Sequence, residues 1–80
     1  MKLKKCLQIT KTKEFTVFIY PKGHIKENRG ISEVAITQFD VKRNEQGQIP
    51  LLPELEQYGN LKVTEIIPSG YKVNLVAEIK

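Results

Sequence analysis

A small all-β domain with one short helix, folded as a five-stranded, partly open OB-like barrel, is the fold class this sequence predicts. Three observations point there. Residues 14–20 (EFTVFIY) are almost wholly β-branched or aromatic, which suits a pleated, half-buried surface. Residues 71–79 alternate apolar and polar positions with period two. Residues 53–58 carry helix-start chemistry, and they fall between the third and fourth predicted strands. Five strands with a short helix at that place is the OB order. An SH3-like barrel is the alternative. It more often puts its helical turn between the last two strands, where this chain has only Pro68, Ser69 and Gly70.

The first strand is read at residues 2–10. Leu3, Lys5, Leu7 and Ile9 share one parity, with Leu7 and Ile9 toward the core and Lys5 near a frayed start. Cys6 then lies on the outer or semi-exposed face. It is either a reactive thiol or a small sheet residue, and no His or second Cys stands close to it in sequence. Residues 11–14 (KTKE) make a short polar connection.

The second strand, residues 14–20, has Phe15, Val17 and Ile19 on one face. Thr16, Phe18 and Tyr20 occupy the other. Two apolar faces imply a strand central to a barrel and covered on both sides, or Phe18 and Tyr20 offered to a partner, or the two rings packed under the long loop, the reading preferred. Pro21 ends the strand by removing a ladder donor. A net basic loop follows at residues 21–30 (PKGHIKENRG). The third strand spans residues 31–41, where the apolar phase switches near Ala35, a sign of a bulge or strong coil.

Residues 44–60 form the longest connection, too long to be wholly irregular in so small a domain. Pro53 suits the first helical position, Glu54 and Glu56 the positive helix end, and Gly59 the stop. Leu51, Leu52, Leu55 and Tyr58 are expected to plug the open end of the barrel. Residues 61–67 and 71–79 then form a hairpin about Pro68, Ser69 and Gly70. The last strand is expected at an edge, and pairing through it, or through Phe18 and Tyr20, would give a homodimer.

Eighty residues predict one domain, residues 1–80. The net charge is +4. Residues 1–43 carry ten Lys/Arg against four Asp/Glu, whereas residues 44–80 carry three against five. A basic half suits an anionic partner, and it also serves plain solubility. One cysteine excludes an internal disulfide, which fits a cytoplasmic protein. No apolar run approaches the ~18 residues of a membrane span. The N-terminus has the basic start of a signal peptide without its apolar region.

Catalytic motifs are missing: no GxGxxG, P-loop, HExxH or CxxC occurs. His24 alone is no metal site, and the sequence implies neither a metal nor a cofactor. Glu54 and Glu56 suit a helix start better than an acid–base pair. The chain is therefore expected to be a non-enzyme.

Two functions remain. The first is a nucleic-acid-binding module for single-stranded DNA or RNA, with little sequence preference. Lys22, Lys26 and Arg29 would hold phosphates, flanked by Lys11, Lys13, Lys42 and Arg43. His24 would be a weak donor, and Phe18 and Tyr20 would stack bases. The layout is similar to that of small single-strand-binding proteins with a basic hairpin, although no diagnostic motif links them. The second is a protein–protein module, such as a phage or mobile-element inhibitor whose basic loops meet an acidic surface of a nucleic-acid-handling host protein. Ile25, Leu51, Leu52 and Tyr58 would be its anchors.

Overall fold

The computed structural model describes residues 1–21 and 35–79. They form one open four-stranded sheet with two short helices on one face. In chain order these are α1 (Leu3–Ile9), β1 (Glu14–Tyr20), β2 (Thr37–Lys42), α2 (Pro53–Tyr58), β3 (Val63–Ser69) and β4 (Lys72–Glu78). The described residues do not show the expected five-stranded barrel: their sheet has four strands and is not closed.

The first departure is at the N-terminus. The segment expected as a strand is helix α1, whose buried residues are Leu3, Cys6 and Leu7. Their spacing, i, i+3, i+4, is the apolar stripe of a helix. It leaves Lys4, Lys5, Gln8 and Ile9 exposed, so the lysine that interrupted a strand face now lies outside. Cys6, expected on a semi-exposed face, is 1% exposed.

The strand order is β2-β1-β4-β3. β1 pairs antiparallel with β2 and parallel with β4, aligning Val17 with both Phe39 and Leu75. The last strand, expected at an edge, is therefore interior. Pairing of a second copy along it is closed off, because both its sides are already in the sheet. β3 is an edge, which is where Pro68 can sit without breaking a ladder. Pro68 was expected in the turn. Ser69 instead pairs with Lys72, so the connection is Gly70 and Tyr71 alone. Gly70 has φ +62, as the first central position of a type II′ hairpin turn requires. The register shifts between Val63 and Glu65, and the Thr64 hydroxyl at that bulge donates to the Val76 carbonyl at 3.0 Å.

Phe15, Val17, Ile19, Phe39, Val41, Leu75 and Ala77 line the covered face, with Leu3, Cys6, Leu7 and Leu55 from the helices packed on them. Helix-on-sheet burial of this kind is a two-layer core. The N-terminal residues are stitched beside β3 by Val63 N–H to Met1 O (2.8 Å) and Leu3 N–H to Leu61 O (2.8 Å). The expected helix at Pro53–Tyr58 forms as read, with Pro53 in its first turn and Gly59 as C-cap. Its leucines do not plug a barrel. Leu55 is buried, Leu52 and Tyr58 lean on the core, and Leu51 is wholly exposed.

Candidate nucleic-acid interface

One end of the sheet gathers the chain's basic connections. β1 begins at Glu14, which pairs with Lys42 at the end of β2 and with Lys72 at the start of β4. The loop entering β1 supplies Lys11 and Lys13, both exposed. Glu14 meets Lys42 and Lys72 at 4.0 Å each, and the Lys42 side chain is 76% exposed. Exposed pairs of this length contribute on the order of 0–1 kcal/mol, so the lysines stay exchangeable.

Arg43 follows Lys42 but has a different task. Its Nε donates to Thr12 O (2.8 Å), Nη1 to Gly47 O (2.8 Å), and Nη2 to Leu7 O (2.6 Å) and Thr10 O (2.7 Å). The guanidinium also lies 5.8 Å from the Phe15 ring centre. Leu7 and Thr10 belong to the last turn and C-cap of α1, where carbonyls lack partners within the helix. A planar cation with five donors suits four carbonyls from three segments far better than an ammonium does. The expectation that Arg43 holds phosphate meets a side chain already engaged inside the protein.

Of the expected stacking pair, one ring is enclosed and the other partly so. Tyr20 is 0% exposed, the largest of the fully buried side chains. Phe18 is half-buried. These rings lie on the sheet face opposite α1, where Val76 is also buried. Period-two reading placed both residues on a second apolar face but could not say whether it was covered.

Lys22, His24, Lys26 and Arg29, with Ile25, lie outside the described residues. β1 runs for seven residues, so Tyr20, from which the chain continues toward them, is about 20 Å from Glu14 at ~3.3 Å per residue. Lys11, Lys13 and Lys42, expected to flank that loop, lie at the Glu14 end of β1.

The sequence reading left out several exposed residues. Lys2 bridges Lys62, and both are exposed beside Lys4 and Lys5 of α1. Tyr71 was assigned to the apolar face of the last strand, and it is 75% exposed. The Gly70 beside it was the available signal, since it puts Tyr71 in the turn. A separate cavity of about 420 Å³ opens between α1 and the segment before α2, lined by Leu7, Ile49, Leu52 and Leu55, with polar groups from Lys4 and Glu56.

Among the described residues no cluster of three or more His, Cys, Asp or Glu could hold a metal ion, and no helix is long and apolar enough to cross a membrane. Comparison with known proteins finds no matching family model, no matching curated protein and no matching solved structure.

Proposed function

We propose that this chain is a non-catalytic module that binds nucleic acid, single-stranded and with little sequence preference, through the lysine-rich end of its sheet. The observation that carries the reading is that Lys11 and Lys13, on the loop entering β1, and Lys42, at the end of β2, are all exposed at the Glu14 end of the sheet. Lysines on a well-held loop can neutralise phosphates without reading bases. The test is titration of a labelled single strand at several salt concentrations. Three phosphate contacts give a log–log salt slope of about −2. Lys11→Glu, Lys13→Glu and Lys42→Glu together should abolish binding. Absence of affinity at low salt, or unchanged affinity in the triple variant, removes the reading.

A second reading, a protein-docking module, is supported by the apolar cavity beside α1 and the wholly exposed Leu51 next to it. Its partner would survive nuclease treatment and be lost on Leu51→Asp, whereas strand binding would be unaffected by that change.

A further inference from the structure

We propose that Tyr71 is the base-stacking platform of this module, at the centre of a site formed with Lys11, Lys13, Lys42 and Lys72; the proposal rests on the strand-binding reading above and names its missing aromatic. The chain has three Phe, three Tyr and no Trp. Phe15, Tyr20 and Phe39 are buried, Phe18 is half-buried, and Tyr58 is half-buried with its ring stacked on Phe39 at 6.5 Å. Of these six rings, Tyr71 is the exposed one.

Its surroundings suit a nucleotide. Tyr71 follows Gly70 in the two-residue turn, and the next residue, Lys72, is in register with Glu14. The parallel alignment of β1 and β4 therefore brings Lys13 beside Tyr71. The Thr12 hydroxyl donates to the Tyr71 carbonyl at 3.3 Å, which joins the lysine loop to the turn. The Lys72 ammonium lies 5.9 Å from the Tyr71 ring centre, within cation–π range. The Lys42 ammonium reaches the other oxygen of the same Glu14 carboxylate that Lys72 meets. Lys72 thus lies at the exposed ring and Lys13 next to it in register, with Lys42 across the shared Glu14 carboxylate and Lys11 on the same loop as Lys13. Stacking tolerates any base, because every base has a π-face, and lysines beside the ring serve the backbone phosphates.

The platform is also held in place. Arg43 Nε bonds the Thr12 carbonyl, and its backbone N–H bonds the Lys13 carbonyl at 2.9 Å. The connection that carries Lys11 and Lys13 is thereby fixed against the ends of β2 and β4 before any ligand arrives. Pre-ordering of this kind lowers the entropy lost on binding. Arg43 is a positioning residue for the site rather than a contact.

The experiment uses fluorescence anisotropy with a labelled oligo-dT of about 12 nucleotides, within the site sizes of small single-strand binders, and an abasic strand of equal length. Tyr71→Ala should weaken oligo-dT binding about tenfold, the size of one lost base–aromatic stack. It should leave abasic binding unchanged, while Lys11→Glu with Lys13→Glu weakens both. As a second measurement, Tyr71→Trp introduces the chain's one tryptophan, whose emission oligo-dT should quench and the abasic strand should not. If the unaltered protein binds oligo-dT but Tyr71→Ala binds it equally well, or loses both strands alike, the stacking assignment falls and the strand-binding reading stands. If the unaltered protein binds neither strand at low salt, the strand-binding reading itself fails and takes the assignment with it.

Discussion

Replacing Arg43 by alanine removes one side chain that satisfies four backbone carbonyls, on Leu7, Thr10, Thr12 and Gly47, at 2.6–2.8 Å. A hydrogen bond to a charged group contributes ~1.5–3 kcal/mol net. The four do not add, because they share one cation and water can reach some of the freed carbonyls. A loss of about 3 kcal/mol is the reasoned figure, a large part of the 5–15 kcal/mol that small domains have in total. In a domain of 60–100 residues each 1 kcal/mol moves Tm by roughly 4–8 °C, so Arg43→Ala should lower Tm by about 12–24 °C by circular dichroism. Arg43→Lys keeps the charge but concentrates its donors on one nitrogen, and should retain at least half of that loss. The partners are neutral, so the loss should persist in 1 M salt, where the Debye length is ~3 Å. Lys42→Ala, one residue away and exposed, should shift Tm by less than about 4 °C. An Arg43→Ala shift below ~4 °C, or full recovery by lysine, would refute the clamp and return Arg43 to the pool of phosphate contacts.

Tyr20→Ala removes the largest fully buried side chain and should cost about 3–5 kcal/mol in urea unfolding; a cost under ~1 kcal/mol would mean the ring is open in solution. At Gly59 an added Cβ would collide with the Leu55 carbonyl, which already accepts the Gly59 N–H at 2.9 Å. Because that obstacle is backbone, Gly59→Ala should cost about 2 kcal/mol, and a thermal melt coincident with the unaltered protein would contradict it. Cys6 is 1% exposed, so a thiol reagent should label it slowly in buffer and at once in denaturant. Full labelling within the mixing time would show that α1 is not docked.

Several elements were legible in the sequence because their signals are local. Residues 14–20 form β1 as composition indicated. Pro53, the acids after it and Gly59 mark α2 by chemistry that acts within one helical turn. The hairpin of the last two strands follows from alternation and a nearby Gly, with Pro68 drawn into an edge strand. The N-terminal helix was missed although its stripe was present. Seven residues are too few to separate period two from period 3.6 when Leu3 and Leu7 fit both. Among the candidate site residues, the exposure of Lys11, Lys13 and Lys42 followed from their polarity. The engagement of Arg43 and the burial of Tyr20 did not, because both depend on segments distant in the chain.

By itself the sequence determined that this is a mostly β chain with a basic first half, a short helix at Pro53–Tyr58 and a terminal hairpin. Only the tertiary structure decided that β1 lies parallel to β4. A parallel ladder joins strands far apart in sequence, and no local pattern encodes which distant strand is the partner. That single pairing places the last strand inside an open sheet, sets Lys72 beside Glu14, and brings Tyr71 against the lysine loop that enters β1.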